Sequence, residues 1–180
     1  MEDVILSAEQ VTPEWLTAIL REQGALLHGQ VTRVTSGQAQ STFASSVFRL
    51  TVSYSQDASP GAPQGLFLKT SNPALIPGEF DPQQVHKEIV FYSVLAPAMD
   101  EPFTIPCYGV AFDPETGASH ILLKDVSETH VACVTPSYPG NCEGAVDSLA
   151  RLHAFWWDHP RLGTDAGGFP TQEQRQEEWR

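Results

Sequence analysis

Lys69 and Glu88 are the two charged residues in this sequence best placed to act together. Lys69 lies in a short apolar run that is typical of a β-strand, and Glu88 lies beside the apolar stripe of a helix predicted for residues 83–95. A single charge on a buried face is costly, but a lysine and a carboxylate offset each other there. A lysine held in this way can present its ammonium group to a phosphate. The alternative is that both side chains end in solvent, at a strand edge and a helix flank.

A small polar loop and a strand end are two further candidate sites. Gly37, Gln38, Ser41 and Thr42 form a turn between two predicted strands, where free backbone amides can bind an anion. Gly37 is the only glycine of that loop, so a repeated-glycine phosphate motif is missing, and an ordinary hairpin is the alternative.

The strand end is the connector Lys124, Asp125 and Val126, which follows an apolar run. Its exposed backbone donors and acceptors suit a planar heterocycle. A plain strand end is the alternative interpretation.

The elements that position these residues alternate in an α+β pattern. Apolar periodicity and turn residues predict strands over residues 31–36, 43–52, 66–70, 107–112 and 120–123. Helices are predicted to begin at Pro13, near residue 83 and near residue 143, the first with Thr12 as its cap. Five strands and one intervening helix predict a compact α+β lobe over residues 30–125.

Four segments resemble the aminoglycoside phosphotransferase and choline kinase-like family, in particular its ecdysteroid kinase-like relatives. They are Phe-Leu-Lys-Thr at 67–70, His-Lys-Glu-Ile-Val-Phe-Tyr at 86–92, Leu-Leu-Lys-Asp-Val at 122–126 and Leu-Ala-Arg-Leu-His-Ala-Phe-Trp-Trp at 149–157. The last resembles the first large-lobe helix of that family. The resemblance implies an ATP- and Mg²⁺-dependent kinase that phosphorylates a hydroxyl group of a small molecule, with a protein-kinase-like small lobe that carries a five-stranded antiparallel sheet.

The resemblance also implies roles for individual residues. Lys69 would contact the α- and β-phosphates of the nucleotide, and Glu88 would fix Lys69. The loop of Gly37, Gln38, Ser41 and Thr42 would cover the phosphates. The connector of Lys124, Asp125 and Val126 would be the hinge that binds adenine through its backbone.

The catalytic loop of that family is missing from this sequence. A His-Gly-Asp with a following Asn is expected after the helix that contains Trp156 and Trp157, and neither occurs after His159. The resemblance therefore implies a small lobe over residues 1–126 and the first helices of an incomplete large lobe over 127–180, without a catalytic base or Mg²⁺ ligands. We expect such a chain to be inactive alone. A non-enzymatic nucleotide-binding or protein-interaction module built on the same lobe is the alternative.

Composition limits the partners. The chain has 180 residues, with 22 acidic and 10 basic side chains and a formal charge of -12, which argues against nucleic acid or an anionic membrane as the main partner. No apolar run approaches the roughly 18 residues of a membrane span. The acidic N-terminus and three sparse cysteines predict a cytoplasmic protein with free thiols.

Other interpretations depend on histidine, cysteine and tryptophan. A zinc site drawn from His130, Cys133, Cys142 and His153 lacks a Cys-x-x-Cys pair, and no residue pattern marks Cys107 or Cys142 as a nucleophile. His153 is predicted to be a buried core histidine. Trp156 and Trp157 lie about 100° apart around a helix, so we expect one to be buried and the other to be available for a partner, self-association included.

Overall fold

The computed structural model describes residues 4–41, 45–72, 82–99, 104–130, 139–162 and 164. The chain divides into two compact units. The first contains Met1–Ile89 and Ile105–Thr129, and the second contains Val90–Thr104 and His130–Arg180. The predicted division into lobes at residue 126 stays a prediction.

The first unit is built on one antiparallel sheet. Its strands are β1 (Val31–Ser36), β2 (Gln40–Ser41), β3 (Ser46–Tyr54), β4 (Gly65–Ser71), β5 (Cys107–Phe112) and β6 (Ser119–Lys124). The strand order is β1-β3-β4-β6-β5, and the short β2 pairs with β3 beside β1. The α-helices among the described residues are α1 (Pro13–Glu22), α2 (Pro82–Val90) and α3 (Pro139–Trp156). The predicted α+β class and antiparallel sheet are confirmed, with β2 as an additional sixth strand.

Helix α1 covers one face of the sheet. Thr12 caps it, since its hydroxyl accepts a hydrogen bond from the Trp15 amide at 3.1 Å, and Pro13 occupies the first turn. The buried residues of α1 pack with buried residues of β1, β3, β4 and β6 in one core cluster. Its fully buried leucines are Leu16, Leu20, Leu26, Leu50, Leu66, Leu68 and Leu122.

Strand β4 separates the two faces of the sheet by simple alternation. Leu66, Leu68 and Thr70 are buried, whereas Phe67 and Lys69 are half-buried and point to the opposite side. We call the side that carries Phe67 and Lys69 the lysine face. The apolar face therefore belongs to the core with α1, and the lysine face retains partial access to solvent.

An N-terminal segment extends over the core and reaches β6. The amide of Ile5 donates a hydrogen bond to Nδ1 of His120 at 2.9 Å, and His120 is only 1% exposed. The His120 ring also meets Trp15 of α1 edge-on, with ring centroids 5.8 Å apart. Burial lowers the pKa of His120 from 6.5 to about 4, so the imidazole is neutral at neutral pH.

Two loops of the first unit, residues 24–30 and 55–62, are joined by serine hydroxyls, and we call them the serine-tied loops. Ser59 Oγ accepts from the Leu27 amide, and Ser55 Oγ accepts from the Gln30 amide, each at 2.9 Å. Gly29 lies between Leu27 and Gln30 in the first of these loops and has φ +74°. A Cβ at this position would come 2.5 Å from the Cα of Ala58. Only glycine fits this contact.

The helical segment of the second unit after α2 is less regular than predicted. The predicted helix over 83–95 is α-helical only as far as Val90, continues as a π-helical turn over Phe91–Leu95, and ends in a 3-10 turn over Ala96–Ala98. Pro97 lies in that last turn and has no amide to donate, which is consistent with the end of the helical segment there.

Helix α3 packs mainly through one tryptophan. Trp156 is 7% exposed and clusters with Leu95, Ala96 and Met99, whereas Trp157 is 76% exposed. The predicted split between the two tryptophans is confirmed. The prediction that His153 is a core histidine is wrong, because His153 is exposed on the same side as the exposed Val146 and Leu149. Among the described residues, no helix combines the length and the apolar character needed to cross a membrane.

Candidate functional site

Lys69 and Glu88 meet in the first unit. Lys69 Nζ and Glu88 Oε2 are 2.5 Å apart, and the two side chains are 33% and 36% exposed. An ammonium group has three N–H donors, and this contact uses one of them. The pair therefore fixes the direction of the lysine and leaves donors for an anion that approaches along the lysine face.

A second contact helps to place the helix that carries Glu88. The ring of His86 in α2 lies against Phe112 of β5, with centroids 5.1 Å apart. His86 and Glu88 lie close together on α2, so the aromatic contact and the ion pair both hold this turn of α2 to the sheet. Ile89 is buried at the same level.

The strand register arranges the lysine face in rows. Lys69 is paired with Val47 on β3 and with Ile121 on β6, and directly paired residues point to the same side. The next row consists of Arg49, Phe67 and Leu123. An arginine thus lies one row away from Lys69, next to a half-buried phenyl ring.

Arg49 is held by a buried carboxylate from the strand end. Its Nε donates to Asp125 Oδ2 at 2.6 Å, and the Ser127 amide donates to Asp125 Oδ1 at 2.8 Å. The Asp125 side chain is 7% exposed, but that of Arg49 is 59% exposed. Burial alone would raise the pKa of Asp125, but the hydrogen bonds from Ser127 and Arg49 together hold it below its usual value. The carboxylate is therefore ionised and anchors the guanidinium.

An open cleft of about 540 Å³ lies at this pair, and we call it the Asp125 cleft. The volume is in the range of small-molecule sites. A Cβ at Gly65 would come 3.0 Å from Asp125 Cβ, so glycine at this position leaves room for the carboxylate. The lining residues are Gly37, Arg49, Leu50, Thr51, Gly61, Ala62, Pro63, Gln64, Gly65, Lys124, Asp125 and Glu128.

The predicted site residues are distributed between two places on the first unit. Gly37, Lys124 and Asp125 line the Asp125 cleft, whereas Lys69 and Glu88 form their ion pair outside its lining. Gly65 and Lys69 lie four residues apart on the same face, about 13 Å along the strand.

The remaining predicted residues do not line the cleft. Gln38 is exposed, and Ser41 of the short β2 is paired with Ser46 of β3. Val126 follows Asp125 but is not part of the lining. Thr42 lies outside the described residues.

Several of the backbone groups that were expected to be free are used inside the fold. The Gly37 amide donates to the Arg49 carbonyl at 3.0 Å, which extends the β1–β3 ladder, so the expectation of a free amide is wrong at this position. The Lys124 and Asp125 amides donate to the carbonyls of Pro106 and Gly65 at 2.9 and 3.0 Å. Of the three expected hinge residues, Val126 alone has an amide without a backbone acceptor among the described residues.

The alternative chemistries find little support among the described residues. No group of three histidine, cysteine or carboxylate side chains could hold a metal ion in that part of the chain, and Cys133 of the zinc hypothesis lies outside it. Burial raises the pKa of Cys107 to about 11, so its thiol is protonated at neutral pH. Cys142 is exposed and free.

Arg49 is the site residue that sequence reasoning missed. It is the only charged residue of β3, and alternation alone places it on the same side as Val47 and Thr51. The missing information was the register, because Asp125 is 76 residues away along the chain.

Comparisons with known proteins give no relative for this chain. A scan against protein-family models found no match, and searches of the curated proteins and of the solved structures found none either. The kinase-like resemblance therefore stays a hypothesis, and it depends on the residues and contacts described above.

Proposed function

We propose that the first unit is the nucleotide-binding lobe of a small-molecule phosphotransferase of the aminoglycoside phosphotransferase and choline kinase type. The phosphoryl donor is ATP with Mg²⁺, and the acceptor is a hydroxyl group. The observation that carries the proposal is the ion pair between Lys69 on a sheet strand and Glu88 on the helix that follows it.

The chemistry of phosphoryl transfer explains why this pair matters. The protein must position the phosphates and neutralise the charge that spreads over their oxygens. Lys69 retains N–H donors for that purpose, and Glu88 restricts the ammonium to one direction. Antiparallel strands and a single helix after the lysine strand are the elements that the kinase-like small lobe requires.

This sequence supplies the binding half of such a site. It contains no His-Gly-Asp with a following Asn after α3, so the catalytic base and the Mg²⁺ carboxylates would come from residues outside it. The second candidate function, nucleotide binding without catalysis, is favoured by the same observation. Both functions require that the first unit binds a nucleotide.

Calorimetric titration of Mg-ATP into the full chain tests the proposal. We expect binding by the wild type and at least about tenfold weaker binding by Lys69→Ala, because a lost charge-assisted contact costs about 1.5–3 kcal/mol. An ion pair this exposed contributes about 1 kcal/mol or less to stability, so the variant should fold. Lys87→Ala is the matched control, since it removes the same charge from an exposed neighbour of Glu88.

Two outcomes would contradict the proposal. One is the absence of Mg-ATP binding by the wild type, and the other is equal affinity of the wild type and Lys69→Ala. A phosphotransfer assay with hydroxyl acceptors separates the two candidate functions. Turnover by this chain alone would overturn the argument about the missing catalytic loop.

A further inference from the structure

The Asp125 cleft contains a charged group that the proposed function does not use. The guanidinium of Arg49 contacts Asp125 only through Nε, and its Nη groups have no hydrogen-bond partner among the described residues. The Asp125 side chain that holds it is 7% exposed, and the Arg49 side chain itself is 59% exposed. Arginine side chains usually lose much conformational freedom on binding, but here that freedom is already restricted.

The charge balance of the cleft disfavours a phosphate as its occupant. Arg49 is neutralised by Asp125, and Lys124 at the lining is balanced by Glu128. A flat ring of low charge suits such a place better than an anion does, because a guanidinium stacks on aromatic faces. Phe67 is paired with Arg49 in the same row of the lysine face but does not line the cleft.

The usual backbone route to a bound ring is largely closed here. The Lys124 and Asp125 amides already donate to Pro106 and Gly65, which leaves Val126 as the one connector amide without a backbone acceptor among the described residues, so further contacts to a ring must come from side chains. The backbone of Arg49 is one row from Lys69, but its guanidinium reaches Asp125, whose amide donates to the Gly65 carbonyl. Gly65 lies about 13 Å along the same face from Lys69, the group proposed for the phosphates. One extended nucleotide can therefore place its ring at Arg49 and its phosphates at Lys69.

We propose that the Arg49–Asp125 pair forms the base-binding wall of the nucleotide site, with the guanidinium stacked on the purine ring and Asp125 as the residue that positions it. This inference rests on the proposed function. It assigns the ring contact to a side chain from the middle of the sheet, and it makes Arg49 a specificity-determining residue.

The test compares two ligands that share phosphates and differ in the base. Mg-ATP and inorganic triphosphate are titrated calorimetrically into the full chain, as wild type, Arg49→Ala, Arg49→Lys and Lys69→Ala. We expect Arg49→Ala to weaken Mg-ATP binding about tenfold and to leave triphosphate binding unchanged. Arg49→Lys should behave like Arg49→Ala, because lysine keeps the charge but lacks the plane. Lys69→Ala should weaken the binding of both ligands.

Several results would overturn the inference. If Arg49→Ala and Arg49→Lys bind Mg-ATP as the wild type does while Lys69→Ala is impaired, the base-binding role fails and the proposed function stands. If Arg49→Lys restores affinity, or if triphosphate binding falls equally, the arginine acts on phosphate charge alone. If the wild type does not bind Mg-ATP, both proposals fail.

A stability control keeps the comparison valid. Arg49→Ala leaves the buried Asp125 carboxylate without its partner, so its thermal midpoint is measured beside that of Arg49→Lys, which retains a cation at the anchor. Arg33→Ala removes an exposed guanidinium from β1, outside the cleft lining, and should bind Mg-ATP as the wild type does. A tenfold loss in Arg33→Ala would contradict the assignment to Arg49.

Discussion

Acidification should destabilise this protein through one histidine. His120 is 1% exposed, and its Nδ1 accepts the Ile5 amide, so the folded chain holds the imidazole neutral. Burial lowers its pKa from 6.5 to about 4. Between those two values the unfolded chain binds a proton that the folded chain does not, and the free energy of unfolding therefore falls as the pH falls.

The magnitude follows from the two pKa values. At about 1.4 kcal/mol for each pH unit between them, the neutral imidazole contributes about 3 kcal/mol in full. This contribution is present above pH 6.5 and is lost as the pH falls toward 4, with about 2 kcal/mol lost between pH 7 and pH 5. A loss of this size is large beside the total stability of a typical domain. Carboxylates contribute little in this window, because their unfolded pKa values lie below it.

Urea unfolding at pH 7, 6 and 5 measures the effect. The control is His120→Asn, whose amide oxygen can still accept the Ile5 amide but does not titrate. We expect the variant to be less stable at pH 7, because the ring contact with Trp15 is lost, but to keep a nearly constant unfolding free energy down to pH 5. An equal pH dependence in the wild type and the variant would refute the reasoning.

Two further predictions concern a glycine and the cysteines. Gly29→Ala should destabilise the chain at least twice as much as Gly24→Ala in the same urea assay. Both glycines have positive φ, which costs an alanine about 1–2 kcal/mol. Only at Gly29 would the added Cβ also clash with the backbone of Ala58. Equal losses would show that the clash is relieved without cost. In alkylation at pH 8 followed by peptide mapping, Cys107 should react at least about tenfold more slowly than the exposed Cys142, because burial raises the pKa of Cys107 to about 11. Comparable rates would contradict its burial.

The sheet was predictable because local patterns specify it. Each long strand combines β-branched or aromatic residues with turn residues at its ends, and β4 shows the alternation that separates Leu68 from Lys69. Helix α1 follows from Thr12 and Pro13 at its start and from Leu16 and Leu20 on one side. Strand β2 was missed because two polar residues, Gln40 and Ser41, carry no periodic signal.

The site was only half predictable for the same physical reason. Lys69 and Glu88 belong to consecutive elements. Because burying either charge without a partner is unfavourable in free energy, the sequence predicts that the two side chains meet. Arg49 and Asp125 are 76 residues apart along the chain and are brought together by the strand register. Ile5 and His120 are 115 residues apart and are joined by one backbone-to-side-chain hydrogen bond. No local pattern encodes such contacts.

Helix α3 shows the limit of amphipathic patterns. Val146, Leu149 and Trp157 have the spacing of a buried stripe, yet all three are exposed, and Trp156 is the residue that packs. Periodicity identifies a helix and its apolar side, but it does not say that the described part of the chain supplies a partner for that side.

The serine-tied loops have a mechanical consequence for the Asp125 cleft. Residues 61–64 form part of its lining, and they follow closely on Ser59, whose hydroxyl holds the Leu27 amide. This part of the cleft lining is thus held by a hydrogen bond to the loop of residues 24–30, which follows α1. A change in the length of that loop would move residues 61–64 and alter the width of the opening without replacing any residue that lines the cleft.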